Sequence, residues 1–213
     1  MPLPVASLHA LFGLSPGDAT IASTLTSLFG SAPDPEVKAY PDATYHNYYP
    51  LGVSLCFTGA PLALDSIDIF NPPPGPSKST KPTYSPAPAL ELCFAETEVV
   101  LPPRKEGEAE FRYPRPERFE VVPATKGRDL VRLLGEPSRK GSGGWVGVWL
   151  EWGRVGLKDD SGRVEVGIML ELSDPKGAEQ LTDEQRKKGA GGVWDRAAGW
   201  AWGSLKVFRP VDK

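Results

Sequence analysis

The amino-acid sequence predicts an α+β protein made of two diverged helix-plus-antiparallel-sheet repeats, with the helices packed on one face of the sheets. Three observations predict this class. A short apolar helix closed by glycine and proline occurs twice along the chain. An aromatic motif of the same internal spacing follows each copy. Runs of alternating polarity, joined mostly by short connections, read as antiparallel strands with one covered face.

The repeat is legible residue by residue. Leu25-Thr-Ser-Leu28-Phe29-Gly30-Ser-Ala-Pro33 matches Leu130-Val-Arg-Leu133-Leu134-Gly135-Glu-Pro137, with one residue more in the first copy. Farther on, Tyr45-x-x-Tyr48-x-x-Leu51-Gly52-Val53 matches Trp149-x-x-Trp152-x-x-Val155-Gly156-Leu157 without a gap. Each copy continues into an alternating run, Leu64 to Phe70 in one and Val164 to Leu170 in the other. Agreement in order, spacing and residue class together is the mark of an internal repeat.

In the first helix, Ser15 reads as the N-cap, Pro16 suits the first turn, and Asp18 favours the positive end of the helix. Ile21, Leu25, Leu28 and Phe29 make one apolar stripe, Gly30 closes the helix and Pro33 prevents its resumption. In the second, Thr125 reads as the cap, Leu130, Val131, Leu133 and Leu134 form the stripe, and Gly135 with Pro137 ends it. Helices this short need a partner surface to persist in water. Strands supply it: Thr44–Tyr49, Val53–Phe57 after a Leu51-Gly52 turn, Leu64–Phe70, Leu90–Phe94, Phe119–Val122, Val146–Trp152, a poorly defined stretch near Leu157, Val164–Leu172 and Ser204–Phe208.

The units divide at a proline-rich connection. Residues 1–71 form the first unit, 72–89 the connection and 90–213 the second unit with a tryptophan-rich C-terminal segment. Asn71 to Pro88 holds seven prolines and reads as an extended, exposed linker rather than a polyproline ligand. Arg139 to Gly144 reads as a glycine-rich turn, and Ala178 to Gly192 as a polar loop.

Composition excludes several classes of function. Net charge is -3 with pI near 5.5, so no overall positive field draws in nucleic acid or anionic membrane. The basic spot at Arg186, Lys187 and Lys188 sits among Asp183 and Glu184 and reads as a solvated face. No apolar run approaches the roughly 20 residues that span a bilayer. The first residues carry no basic group ahead of their apolar positions, a poor secretory signal. Cys56 and Cys93 are too few for a disulfide framework and read as free thiols in a cytoplasmic protein; a bridge between them becomes an option only after secretion.

No strong catalytic, cofactor or metal motif stands in the chain. Gly141-Ser-Gly-Gly lacks the Lys-Ser/Thr ending of a phosphate loop and leads into a strand. His9 and His46 are the only histidines, and no ligand spacing surrounds them. His46 is the best single acid–base candidate. Strand alternation puts His46 and Tyr48 on one side and Tyr45, Asn47 and Tyr49 on the other. His46 and Tyr48 therefore read either as polar contacts of a ligand pocket, with Asp68, or as members of a satisfied strand. Asp65 and Asp68 fall on opposite faces and cannot act as a pair without a bulge.

All six tryptophans lie after residue 144: Trp145, Trp149, Trp152, Trp194, Trp200 and Trp202. Trp145 and Trp149 share one face of a regular strand, and Trp152 points the other way. These rings read either as core, with Trp194, Trp200 and Trp202 capping the second sheet, or as anchors of a recognition surface.

The helix, the Gly-Pro stop and the aromatic meander, used twice, resemble the tandem-repeat architecture of the β-lactamase-inhibitor protein family. That resemblance implies two units joined to offer a concave sheet to a partner protein. Tyr40-Pro-Asp-Ala-Thr-Tyr-His-Asn-Tyr-Tyr-Pro-Leu-Gly-Val-Ser-Leu, Leu134-Gly-Glu-Pro-Ser-Arg-Lys-Gly and Val193-Trp-Asp-Arg are also similar to a set of uncharacterised fungal cytosolic proteins, which bring no activity with them.

The expectation for function is a non-enzymatic protein-binding module that recognises another protein through an aromatic sheet face. Its binding residues are Trp145, Trp149, Trp152, Tyr45, His46 and Tyr48, with no cofactor and no metal. The alternative is a small-molecule binder or enzyme with a pocket between the units around His46. Sugar recognition by stacking on tryptophan is a third reading.

Overall fold

A computed structural model describes residues 2–73, 82–103, 105, 107–142, 147–174 and 194–210. Its class is mixed α+β, dominated by antiparallel strands. In chain order the elements are β1 (Leu3–Pro4), a 3-10 helix (Val5–Leu11), α1 (Ala19–Phe29), β2 (Glu36–Ala39), β3 (Ala43–Tyr48), a 3-10 turn (Tyr49–Leu51), β4 (Val53–Thr58) and β5 (Ala63–Phe70). There follow β6 (Leu90–Cys93), β7 (Glu98–Leu101), β8 (Phe111–Pro114), β9 (Arg118–Val121) and α2 (Gly127–Leu134). Strands β10 (Arg139–Ser142), β11 (Val148–Asp159), β12 (Gly162–Ser173) and β13 (Ala201–Phe208) follow among the described residues.

The main sheet has eight strands in the order β10-β11-β12-β13-β5-β4-β3-β2. The strands before and after the proline-rich connection meet where β13 pairs antiparallel with β5. A three-stranded sheet, β1-β6-β9, holds the chain start parallel to β6, and among the described residues β7 pairs only with β8. One continuous apolar core runs through both halves, from Leu3, Leu11, Ile21 and Leu25 through Leu55, Phe57 and Ile69 to Leu130, Leu133, Trp152, Ile168 and Val207. Leu25 and Phe29 of α1 bound the same interior space as Val53, Leu55 and Ile67 of β4 and β5. Gly127, at the start of α2, sits so close to Leu172 that a Cβ there would lie 2.9 Å from its methyl groups.

Both helix stops are as the sequence indicates. Gly30 takes φ 78° and donates its N–H to the Thr26 carbonyl at 2.8 Å; Gly135 takes φ 84° and donates to Val131 at 2.8 Å. The helix starts differ from expectation. Asp18, not Ser15, caps α1, accepting the Thr20 N–H at 2.8 Å, because Ser15-Pro16-Gly17 is spent on a turn closed by Asp18 N–H to the Ser15 carbonyl. Thr125 turns its hydroxyl back to accept the Val122 N–H at 2.9 Å, and Lys126 holds the cap position of α2. The free N–H groups of Gly127 and Arg128 go to the Trp200 and Ala198 carbonyls, so the C-terminal segment caps this helix.

Arg139–Ser142 is an edge strand rather than a turn. Pairing with β11 imposes that conformation, which its own glycine and lysine do not encode. The stretch near Leu157 is the middle of one long strand, β11, which absorbs a bulge between Trp152 and Val155. The returning part of the proline-rich connection is not free in solvent: Ser85 N–H donates to Tyr49 and Ala87 N–H to Phe70. Ala178–Gly192, Trp145 and the Arg186–Lys188 spot lie outside the described residues.

Candidate functional site

Register determines which side chains share the face of the main sheet that points away from the core. Leu55, Ile67, Val207, Ile168 and Trp152 are core residues on neighbouring strands, so the intervening positions point the other way. Those positions form continuous rows. Arg139, Glu151, Met169, Lys206, Asp68, Ser54, Asn47 and Glu36 stand side by side across all eight strands. Gly141, Trp149, Glu171, Ser204 and Phe70 make the row on one side. Gly167, Phe208, Ser66, Cys56, Tyr45 and Lys38 make the row on the other.

Two aromatic rings lie along this face where glycines leave them room. A Cβ on Gly141 would come within 2.6 Å of the Trp149 indole, and one on Gly167 within 2.2 Å of the Phe208 ring. Both rings are half-buried and keep an edge to solvent. The Arg139 guanidinium stands 5.8 Å from the centre of the Trp149 ring and pairs with Glu151 at 3.4 Å. Charged groups elsewhere on the face are paired laterally too: Lys206 with Asp68 at 3.5 Å and Lys38 with Glu36 at 3.0 Å.

At the β2–β5 end the face deepens into a cavity of about 490 Å³. Tyr40, Tyr45, Phe70 and Tyr84 contribute its rings, and Asn47, Ser54 and Asp68 its polar groups. Tyr84 comes from the returning connection. Its ring stacks on Phe70 with centroids 3.8 Å apart, and its hydroxyl donates to Asn47 Oδ1 at 2.6 Å. Asn47 Oδ1 also accepts from Ser54 Oγ at 2.9 Å, and its Nδ2 donates to the Glu36 carbonyl. The carboxamide is thus satisfied and fixed in one orientation. Tyr40 meets Tyr45 edge to face at 5.8 Å.

Burial dominates the electrostatics of this end. It pushes the Asp68 carboxyl above its ordinary value; Lys206 opposes that rise and the nearby Glu171 adds to it. Burial likewise pushes the Tyr45 phenol up to about 12 and the Cys56 thiol upward. Cys56 and Cys93 are both free thiols.

The sequence-predicted residues other than Trp145, which lies outside the described residues, each have a definite position. Trp149 and Tyr45 lie on the face away from the core. Trp152 is 3% exposed and donates its indole N–H to the Gly135 carbonyl at 3.0 Å, so it belongs to the core. Tyr48 is buried, and His46 packs at 4.8 Å against Phe57 on the core side, where burial lowers its pKa. Asp68 points to the opposite side, so His46, Tyr48 and Asp68 do not meet in one pocket. Trp202 is buried with its N–H donated to the Val122 carbonyl, and Trp194 and Trp200 pack against the core.

Sequence reasoning missed Phe70, Phe208, Lys206 and Tyr84 as members of the face. Alternation along Leu64–Phe70 and Ser204–Phe208 carries the signal for the first three. No local pattern announces Tyr84.

A second cavity, about 460 Å³, lies on the core side beside α2, bounded by Val131, Leu150, Leu172 and Trp194 among others. Among the described residues no group of three or more His, Cys, Asp and Glu side chains is placed to hold a metal ion. No described helix is long and apolar enough to cross a membrane. No family model, no curated protein and no solved structure matches the chain.

Proposed function

We propose that this chain is a non-enzymatic protein-binding module whose recognition surface is the sheet face pointing away from the core. The observation that carries the reading is the set of continuous rows across eight strands, with the half-buried rings of Trp149, Phe208, Tyr45 and Phe70 spread along one surface. Trp149 and Phe208, each laid over a glycine with little side-chain freedom left to lose, are favourable interface anchors. Laterally paired charges around them supply a polar, register-setting surround.

The chain is, in this reading, two diverged copies of one unit, with both helices over the core side of the sheet. Support lies in the order of elements: a helix ended by a positive-φ glycine, then a four-strand antiparallel meander, in each half. The sheet order then runs outward in the same sequence from the β5–β13 seam. Tyr45 and Trp149 lie on the second strand of each meander and point away from the core, whereas Tyr48 and Trp152 point into it. The match between Leu64–Phe70 and Val164–Leu170 does not extend to topology, since β12 is the third strand of its meander and β5 the fourth. Two free thiols favour a cytoplasmic setting.

Native mass spectrometry of the protein, purified gently from its own source, tests the reading. A co-purifying protein whose affinity falls at least about tenfold in Trp149→Ala and Phe208→Ala, with circular dichroism unchanged, supports it. Undiminished affinity in both variants overturns it. A bound small molecule in place of a protein moves the function to the cavity at the β2–β5 end.

A further inference from the structure

The geometry points to a specific chemistry for one end of this surface: the cavity among Tyr40, Tyr45, Phe70 and Tyr84 receives a basic side chain, lysine or arginine, of the partner protein, with Asp68 as its counter-ion. The inference rests on the reading of the sheet face as a protein-binding surface.

Shape comes first. A cavity of about 490 Å³ is far larger than bound water requires and falls within the range of sites that accept organic groups. Its rings are held in place. Tyr84 is fixed by stacking on Phe70 and by its hydrogen bond to Asn47, and Tyr40 rests on Tyr45. Aromatic faces carry partial negative charge and attract ammonium or guanidinium groups, the more so when both are shielded from water.

Charge points the same way. The acidic groups in and next to the cavity are Asp68, Asp42, Glu36 and Glu171, against the two ammonium groups of Lys38 and Lys206. Lys38 is already engaged by Glu36 at 3.0 Å and by the Tyr49 hydroxyl at 2.9 Å. Lys206 reaches Asp68 only at 3.5 Å, beyond the roughly 2.7–2.9 Å of a strong charge-assisted hydrogen bond. The Asp68 carboxylate, 16% exposed, therefore retains acceptor capacity in a poorly hydrated place. An anion there would meet an excess of carboxylates. A neutral apolar group would leave Asp68 more deeply buried with its charge undercompensated. A cation satisfies both the rings and the carboxylate.

The tripeptides Gly-Arg-Gly and Gly-Lys-Gly, with capped ends, serve as probes, and capped Gly-Gln-Gly as the neutral control. Backbone amide NMR of the full chain reads the binding. The expected result is a saturable shift of amides around Asp68, Asn47 and Tyr84 with one or both basic peptides. None is expected with Gly-Gln-Gly, and affinity should weaken as salt rises. Asp68→Asn should lower affinity about tenfold, the loss of one charge-assisted contact. Tyr40→Ala, which removes an exposed ring outside the core, should lower it several-fold in a chain that folds normally. Equal response to the neutral peptide, no saturable response to either basic peptide, or full affinity in both variants overturns the inference. Its failure is distinct from failure of the wider reading. That reading is judged by Trp149→Ala and Phe208→Ala against the intact partner, at positions outside the cavity.

Discussion

The indole of Trp149 lies across Gly141 on the neighbouring edge strand, so close that a Cβ on the glycine would come within 2.6 Å of the ring. The absence of a side chain at Gly141 is what lets the tryptophan lie along the sheet. Gly141→Val should tip the ring away. The expected outcome is a displaced indole N–H resonance for Trp149 and partner affinity reduced at least about fivefold. Stability should fall by no more than about 1 kcal/mol, since β10 is an edge strand. An unmoved resonance would show that the ring does not depend on this space.

Trp149 and Trp152 should separate function from folding. Trp152 is 3% exposed and hydrogen-bonded to Gly135, so Trp152→Ala should cost about 3–5 kcal/mol. Trp149→Ala should cost below about 1 kcal/mol and act on binding. Paired urea titrations decide the matter; equal losses in the two variants would contradict the assignment of Trp149 to the recognition face.

Asn71 ties the end of β5 to two distant segments. Its Nδ2 donates to the Pro123 carbonyl at 3.0 Å and to the Trp202 carbonyl at 2.7 Å. Asn71→Ala strands both carbonyls and should lower the unfolding free energy by about 1–3 kcal/mol. Thermal unfolding followed by circular dichroism measures it, and an unchanged midpoint would mean water replaces the amide without loss.

Gly52 holds φ 71°, and a Cβ there would lie 2.3 Å from the Ser85 carbonyl oxygen and 2.9 Å from the Ala87 nitrogen. Backbone on both sides leaves nothing to yield. Gly52→Ala should destabilise by more than about 2 kcal/mol and detach the segment that carries Tyr84. Loss of the Tyr84–Phe70 contact by NMR, together with a lower urea midpoint, is the expected pair of results.

Asp68 should make stability depend on pH in the sense opposite to an ordinary surface carboxylate. Burial raises its pKa in the folded chain, against the opposing charge of Lys206 and with the support of Glu171. A carboxyl that binds its proton more tightly when folded contributes most below its unfolded pKa, about 3.9, and loses that contribution as pH rises through the folded value. The stability of the natural chain relative to Asp68→Asn should therefore decline as pH is raised from about 3 and level off above the folded pKa. Urea midpoints across that range test this. A difference that grows with pH would mean that Lys206 outweighs desolvation.

Much of the fold was written locally. Gly30 and Gly135 close their helices because each stop takes a positive φ, which glycine adopts without a Cβ penalty. Alternation in Tyr45-His46-Asn47-Tyr48 assigns the two sides of β3 because the pleat has a period of two. The opposed orientations of Trp149 and Trp152 follow from the same period. Elements whose stability comes from elsewhere were not legible. Arg139–Ser142 is a strand because β11 offers it hydrogen bonds, and Thr125 yields the cap because its hydroxyl is used by Val122.

By itself, then, the sequence determined the helix stops, the main strands and the opposed orientations of neighbouring aromatic residues, since each depends on interactions within a few residues or on a fixed period. Only the tertiary structure decided that β5 joins β13 into one sheet. It alone brought Asp68 to Lys206, laid Trp149 over Gly141 and returned Tyr84 to Phe70. Those pairings join residues far apart in the chain, and their geometry is set by strand register and core packing rather than by any local preference.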